Sequence, residues 1–217
     1  MKVDTTSQND FKPKLLELAK EIYQDDDPSH DILHIFRVLK NAEMLQAKEG
    51  GDLDIITAAV IFHDSVNYAK DDPRAPNATD ESAEKAIEML NNLAGFPKEK
   101  IEKVAYAVKV CSFTKNIKAE TLEAKILQDA DMLESTGAVS IMRIFASSGS
   151  MKRRFYDPED PFGEHGRELK PTNTIDMFNL RLLLITDRMN TETGKNLARE
   201  REVILKHFLS VLKSELN

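Results

Sequence analysis

Apolar residues recur along most of this chain every three to four positions, which is the period of an α-helix and not the alternation of a β-strand. The pattern predicts helices joined by polar segments, with no repeat and no strand-rich region. The predicted helices span about 11–23, 30–48, 55–62, 80–93, 98–110, 119–133, 138–146, 174–187 and 193–215.

Polar and turn-forming residues mark where these helices begin and end. Ser29 is placed to cap the second helix, and Gly50-Gly51 ends it. The segment that follows, 55–62, is apolar on every side, so we expect this helix to be central to the fold. The longest irregular segment covers 150–173, and segments of that length inside a compact domain are usually functional or disordered.

The composition supports the same fold class. Of the 217 residues, 41% are hydrophobic, 6% are aromatic and none is tryptophan, so the core must consist mainly of Leu, Ile, Val, Ala and Met. A core built from these residue types favours helices over strands. We therefore predict an all-α protein, a single-domain helical bundle over residues 11–217, preceded by a disordered tail at residues 1–10.

The charge balance limits the classes of partner. A formal net charge of −7 argues against a nucleic-acid scaffold, although a small phosphorylated ligand can still bind in a local basic pocket. The lone Cys111 excludes an intramolecular disulfide and suits a reducing compartment. With no apolar run near the roughly 20 residues of a membrane span and a polar N-terminus, we expect a cytoplasmic protein, monomeric or homodimeric.

Histidine and aspartate residues occur inside segments that are otherwise predicted to be buried helix. The sequence has two His-Asp pairs, His30-Asp31 and His63-Asp64, and a later acidic run that ends at Asp131. Polar groups on apolar helical faces are unfavourable unless something pairs with them. Imidazole and carboxylate groups together are ligands for divalent cations.

Each residue also has an alternative explanation when it is taken alone. His34, on the apolar face of its helix, would then be an ordinary core histidine. His63 would donate to a backbone carbonyl while Asp64 ends its helix at the surface. Asp131 would form an ion pair with a lysine or arginine.

Taken together, the four residues favour a metal site. Ligands from facing helices commonly meet in the core of a helical bundle. We interpret His34, His63, Asp64 and Asp131 as ligands of one divalent ion. Two imidazoles and two carboxylates suit Mn²⁺ or Mg²⁺, with Fe²⁺, Ni²⁺ and Zn²⁺ as further possibilities, and an octahedral ion would keep two positions open for water and substrate.

The ordered series H…HD…D resembles that of the HD-domain metal-dependent phosphohydrolases, in particular the small bacterial YpgQ/YedJ-like branch. The similarity covers nearly the whole chain, with a metal-site core at about 29–135 and a C-terminal loop and helices at 150–217. It is carried by SHDILH (29–34), AAVIFHD (58–64), ESA (81–83), QDADMLE (128–134) and FYDPEDPF (155–162).

The resemblance assigns roles that spacing leaves open. It implies that His34 is the ligand of the first region and that His30, one turn earlier, either makes a hydrogen bond or faces the substrate. It also implies that Asp131, and not Asp129, is the last ligand. One departure is the VCSF run at 110–113, where this branch has His-Ser-Phe, so that Cys111 replaces a histidine. Cys111 is equally well explained as a small buried thiol.

The resemblance further implies hydrolysis of a phosphate ester or anhydride by metal-activated water. Asp64 would be both ligand and proton acceptor, and Glu81 a second carboxylate that orients water or takes the proton, unless it only complements the dipole of its helix. The residues expected to bind substrate are His30, Arg37, Lys115 and Arg153. The alternative for Arg37 is an ion pair with a core carboxylate. Lys115 and Arg153, like Lys152 and Arg154, are weaker candidates, because a run of charges is usually a solvated surface.

A nucleotide is the expected substrate, and pyrophosphohydrolysis the expected reaction. A 5′-nucleotidase-type phosphomonoesterase is the nearest alternative enzyme. A metal-bound nucleotide sensor or interaction module without turnover is the alternative that the Cys111 replacement favours. A purely structural helical protein would bind no metal at all.

Overall fold

A computed structural model of the chain describes residues 11–24, 31–68 and 72–216. Within these ranges no strand forms beyond the isolated bridge between Arg154 and Asn173. The all-α class predicted from the pattern is confirmed. The tail predicted at residues 1–10 lies outside the described residues.

The helices follow the predicted order closely. Short 3-10 turns lie at Ala75–Asn77, Leu133–Ser135 and Leu182–Leu184. The α-helices are α1 (Lys12–Ile22), α2 (Ile32–Glu49), α3 (Leu53–Phe62), α4 (Ala78–Asn92), α5 (Lys98–Val110), α6 (Leu122–Met132), α7 (Gly137–Ser150), α8 (Asp176–Leu180), α9 (Ile185–Arg188) and α10 (Glu192–Leu216).

The helices form two compact units, and the division falls inside α6, between Ala130 and Asp131. Among the described residues, the first unit comprises 11–24, 31–68 and 72–130, and the second comprises 131–216. None of the described helices is both long enough and apolar enough to span a bilayer.

Helix α3 is the centre of the first unit. All eight residues from 55 to 62 are buried, and α3 packs against α1, α2, α4 and α5. A helix surrounded in this way must be apolar on all sides, which is the pattern that the sequence shows. Its C-terminal end therefore lies inside the unit, so the residues that follow it, His63 and Asp64, are placed close to the core.

Two helix starts differ from the sequence-based expectation. Helix α2 is capped by Asp31, whose carboxylate accepts a hydrogen bond from the backbone N–H of His34 at 2.8 Å. The expected cap, Ser29, lies outside the described residues. Helix α4 begins at Ala78, two residues before the start predicted at about residue 80.

The second unit has its own apolar core, in which α7, α8 and α10 meet. Phe178 stacks on Phe208 with ring centroids 5.5 Å apart, and Phe145 lies edge-on to Phe208 at 6.0 Å. The helix predicted at 174–187 is interrupted after Leu180. The intervening 3-10 turn puts Leu182 and Ile185 three residues apart on one side, and both are buried.

Candidate metal centre

Two buried imidazole rings lie side by side at the ends of α2 and α3. His34 is in the first turn of α2 and fully buried, and His63 directly follows α3 with 2% of its surface exposed. The ring centroids are 5.4 Å apart. The hydrogen bond from the backbone N–H of His34 to the Asp31 cap positions His34 at the start of α2. Because α3 is buried on all sides, His63 at its end is positioned close to the core.

The hydrogen bond of His63 defines which of its ring nitrogens can bind a cation. Nδ1 lies 2.8 Å from the carbonyl oxygen of Val60, so Nδ1 carries the proton and donates to it. In the neutral ring, Nε2 then holds the lone pair, as in histidines that bind metals. The donation to a backbone carbonyl, which the sequence presented as an alternative to ligation, is thus compatible with ligation through Nε2.

Asp64 completes the arrangement on the first unit. Its Oδ2 lies 3.5 Å from Nε2 of His63 and 3.6 Å from Nε2 of His34, and its side chain is 29% exposed. Both imidazoles therefore direct the same nitrogen toward one carboxylate oxygen. Asp64 is partly open to solvent, which a substrate-facing ligand requires.

Asp131 contributes the last predicted ligand, from the final turn of α6. His34, His63 and Asp131 each offer one ligand atom, and these three atoms lie within 4.8 Å of one another. The structure thus brings these three residues together, and it places Asp64 against both histidines.

The spacing of these atoms fits a divalent cation. With metal–ligand bonds of about 2.1 Å, the ligand atoms of a six-coordinate ion are roughly 3 to 4 Å apart. The 3.5 and 3.6 Å separations lie within that range, and the 4.8 Å limit exceeds it only slightly. Two neutral imidazoles with two carboxylates also form a donor set that attracts a dication strongly and a monocation weakly.

Comparison with known proteins identifies the family. The family model of the HD domain matches residues 32–136, which includes all four predicted ligands. The crystal structure of the Lin1889 protein from Listeria innocua is similar to this chain at 32% identity, over 94% of this chain and 97% of that one, with a TM-score of 0.71. The chain belongs to the HD-domain family.

Other relatives agree with this assignment. YpgQ of Bacillus subtilis is 29% identical over 202 residues, covering 91% of this chain and 90% of its own length. The crystal structure of YpgQ in complex with ADP has a TM-score of 0.73 at 26% identity, over 94% of this chain and 97% of that one. The crystal structure of an HD-superfamily hydrolase from Bacillus thuringiensis has a TM-score of 0.69 at 28% identity, over 94% of this chain and 95% of that one. HD domains bind divalent metals, and the neighbours support a hydrolase in general terms.

The helix that carries Asp131 is anchored by buried amides in this HD domain. Asn41 on α2 donates through Nδ2 to the carbonyl oxygen of Ala130 at 3.1 Å, next to the ligand in the chain. Gln128 donates through Nε2 to the carbonyl oxygens of Val110 at 2.6 Å and Ile117 at 2.9 Å. These bonds fix the rotation of α6 about its axis and thereby the direction in which Asp131 leaves it.

Tyr23, which the sequence interpretation missed, lies beside Asp64. Its hydroxyl donates to the carbonyl oxygen of Ile61 at 3.0 Å. Burial and then the charge of Asp64 raise the pKa of Tyr23 well above its ordinary value, so the phenol stays protonated. Cys111, the residue in place of the expected histidine, is buried next to it. No local signal marks Tyr23, because it ends an ordinary amphipathic helix.

Glu81 lies in the first turn of α4, and a tyrosine that precedes this helix binds its carboxylate. The hydroxyl of Tyr68 donates to Oε2 of Glu81 at 2.5 Å. The guanidinium of Arg74 lies over the Tyr68 ring, 4.4 Å from its centroid, and pairs with Asp72 at 2.7 Å. The carboxylate of Glu81 therefore has a defined orientation, which a residue serving only the helix dipole would not need.

The predicted phosphate-binding residues have different surroundings. Arg37 is half-buried one turn after His34. Lys115 donates to Oδ2 of Asp80 and to Oγ1 of Thr79, both at 2.7 Å, so its ammonium group is already engaged. The hydrogen bonds from Lys115 and then from Lys109 hold the pKa of Asp80 below its usual value. His30 lies outside the described residues.

Arg153 lies in the second unit, among other arginines. The charges of Arg143, Arg188, Arg153 and Asp131 all act on Arg181, and burial lowers the pKa of Arg181. Sequence reasoning singled out Arg153 but not Arg181. The sequence does single out Arg181 in one respect, since it is the one arginine inside the otherwise apolar run 180–185. A helix that packs only against a hydrophobic core would not contain an arginine there.

Proposed function

We propose that this HD domain is a metal-dependent phosphohydrolase that acts on nucleotides, with pyrophosphohydrolysis of a nucleoside triphosphate as its reaction. The observation that carries the proposal is the convergence of His34, His63 and Asp131, with Asp64 against both histidines. The ADP complex of the relative YpgQ supports a nucleotide as the substrate class.

The proposed cofactor is one divalent ion, Mn²⁺ or Mg²⁺ first, with Fe²⁺, Ni²⁺ or Zn²⁺ as alternatives. His34, His63, Asp64 and Asp131 would hold it. When bound, such an ion lowers the pKa of coordinated water and polarises a phosphoryl oxygen.

The protein's own groups then position and deprotonate the water. Asp64 is partly exposed and lies against both imidazoles, so it is the proposed proton acceptor. Glu81 is the second acceptor, and Tyr68 fixes its orientation by the 2.5 Å hydrogen bond. Tyr23 remains neutral beside Asp64, which keeps a second negative charge away from the ligand. Hydrolysis of the α–β anhydride consumes one water and gives a nucleoside monophosphate and pyrophosphate.

A panel of nucleoside tri-, di- and monophosphates, each with Mn²⁺ or Mg²⁺, tests the proposal. We expect pyrophosphate release from at least one triphosphate, and loss of release on chelation of the metal. Orthophosphate release from monophosphates would favour the 5′-nucleotidase-type reaction instead. Tight nucleotide binding without turnover by any metal-loaded sample would favour the sensor, for which Cys111 in place of the expected histidine is the supporting observation.

A further inference from the structure

Helix α4 is hydrogen-bonded to the segment that directly follows the His63-Asp64 pair. The hydroxyl of Ser82, which is fully buried, accepts from the backbone N–H of Val66 at 3.0 Å. Three residues further along α4, the ammonium group of Lys85 donates to the carbonyl oxygen of Ser65 at 3.1 Å. A lysine of α4 therefore lies beside the residue that comes directly after Asp64 in the chain.

The direction of Lys85 is notable because Glu81 precedes it by four residues on the same helix. A glutamate and a lysine at this spacing commonly form an ion pair on a helix surface. In this structure Glu81 binds the hydroxyl of Tyr68, and Lys85 binds Ser65. Both charged side chains of α4 thus contact the segment 65–68 and not each other.

Lys85 also has no carboxylate partner among the described residues. Its side chain is half-buried, and the bond to the Ser65 carbonyl is the interaction that it makes with them. Two other half-buried lysines of the first unit do have such partners, since Lys100 and Lys115 each lie 2.7 Å from an aspartate oxygen. An ammonium group has three N–H donors, and the bond to Ser65 uses one of them. A cation that is partly removed from water favours an anionic partner.

The hydroxyl of Ser65 is a second group at the same place that lacks a partner. Its Oγ is buried and makes no hydrogen bond within the described part of the chain. Buried polar atoms of this kind are usually satisfied by water, an ion or a ligand. Ser65 therefore brings two potential donors, its own hydroxyl and the ammonium of Lys85, to the position after Asp64. A phosphoryl oxygen can accept from either kind of donor.

We propose that Lys85 is a substrate-binding residue of the metal centre, whose ammonium group binds a phosphoryl oxygen of the substrate beside Asp64. Ammonium groups bind phosphate as compact point charges. A cation here offsets the repulsion between the negative substrate and the carboxylate of Asp64. Glu81, on the same side of α4, then remains available to act on the water. The inference rests on the proposed function, because the phosphoryl group is that of the proposed substrate.

A purely structural role for Lys85 gives a different expectation. The segment 63–65 follows the C-terminal end of α3, where a cation interacts favourably with the helix dipole. Loss of the charge would then lower the free energy of unfolding and leave phosphate binding unchanged. The experiment must therefore measure phosphate binding and stability separately.

The test compares Lys85→Met with Lys98→Met, because the ammonium group of Lys98 also donates to a backbone carbonyl, that of Asn91 at 2.6 Å. Binding of inorganic pyrophosphate to the metal-loaded proteins is measured by calorimetry. We expect Lys85→Met to weaken binding about tenfold or more and Lys98→Met to change it by less than about twofold. Metal content should match the wild type in both variants, since neither lysine is a proposed ligand.

Kinetics with conservative variants provides the second readout. For a triphosphate substrate, we expect Lys85→Met to raise KM about tenfold or more with a smaller change in kcat, since the interaction is present in the bound substrate as well as in the transition state. Lys85→Arg keeps the charge and should recover most of that loss. Lys85→Gln, which stays polar but is uncharged, should lose pyrophosphate binding as Lys85→Met does, and it replaces Lys85→Met if the latter does not fold.

The outcomes separate this inference from the proposed function. Lys85-dependent pyrophosphate binding by a protein that hydrolyses no nucleotide would support the role of Lys85 and refute the function. Nucleotide hydrolysis with an unchanged KM in the uncharged Lys85 variants would refute the role of Lys85 and leave the function standing. Equal losses in Lys85→Met and Lys98→Met, or a loss of stability with unchanged pyrophosphate binding, would refute it in the same way.

Discussion

Nδ1 of His63 lies 2.8 Å from the carbonyl oxygen of Val60, one turn earlier in the chain. This bond connects the most apolar helix of the protein to its proposed chemistry. Because the carbonyl fixes the tautomer, Nε2 is directed at Oδ2 of Asp64 with its lone pair available. The end of α3 thus presents two proposed ligands of the cation, His63 and Asp64.

Removing one ligand should abolish metal binding and hydrolysis together. We expect His63→Ala and Asp131→Ala each to lose stoichiometric metal and to reduce hydrolysis by about a hundredfold or more, while far-ultraviolet circular dichroism stays helical. Elemental analysis and turnover of the purified variants check this. His207→Ala, which changes an exposed histidine of α10, is the control and should keep both. Full turnover by either ligand variant would disprove the site.

The amide of Asn41 should matter for the metal as well as for stability. Asn41→Ala removes the 3.1 Å hydrogen bond to the carbonyl of Ala130 and leaves that buried acceptor unmatched, which costs about 1 to 3 kcal/mol. Because Asp131 follows Ala130, we also expect metal affinity to fall, up to about tenfold. Chemical denaturation and metal titration measure the two effects.

Asn91→Ala is the matched control for that experiment. Asn91 donates the same kind of amide hydrogen bond, to the carbonyl of Ile87 at 2.9 Å, but on the exposed side of α4. It should change neither stability nor metal affinity appreciably. If Asn41→Ala and Asn91→Ala behave alike, the amide of Asn41 does not position α6.

The orientation of Glu81 should affect catalysis more than binding. Glu81→Gln is expected to lower kcat by about a hundredfold or more, which is the usual contribution of a general base. Tyr68→Phe, which removes only the 2.5 Å hydrogen bond, should lower kcat less and in the same direction. Steady-state kinetics on the preferred nucleotide gives both values. The control is Glu84→Gln, at an exposed position of the same helix, which should leave kcat unchanged. Equal effects of Glu81→Gln and Glu84→Gln on kcat would show that Glu81 has no part in the mechanism.

The ion pair between Arg167 and Asp176 should make the stability of the second unit depend on acid pH. Burial acts to raise the pKa of Asp176, but hydrogen bonds from Arg167, from the backbone of Lys170 and from Asn173 outweigh it and hold the pKa below 3.8. The folded state therefore favours the ionised carboxylate. Its contribution is fully present above pH values near 3.8 and is lost as the pH falls through the lower folded pKa.

Asp176→Asn tests this pH dependence. At pH 7 it should lower the free energy of unfolding by about 3 kcal/mol, because it leaves Arg167 without its buried partner. The difference from wild type should shrink when urea denaturation is repeated below pH 4. Glu164→Gln, which removes an exposed partner of Lys213, should have little effect at either pH. A difference that does not change with pH would contradict the ionised state assigned to Asp176.

The sequence by itself determined the helices and the residue types of the proposed metal site. The apolar period of α2 and the all-apolar segment 55–62 predict their own burial, because a side chain's face on a helix follows from its number in the chain. A histidine or aspartate inside such a segment therefore stands out as a polar group at a position that is expected to be buried. For the same reason the residues of the H…HD…D series could be named from the chain alone.

The tertiary structure decided what depends on contacts between distant parts of the chain. Tyr23 lies beside Asp64, and Arg181 interacts with Asp131, although nothing in the local pattern of either residue indicates it. The break of the predicted helix 174–187 at Arg181 is likewise a consequence of packing, which overrides a weak helical period. Periodicity specifies a face of one helix, whereas only packing specifies which faces meet.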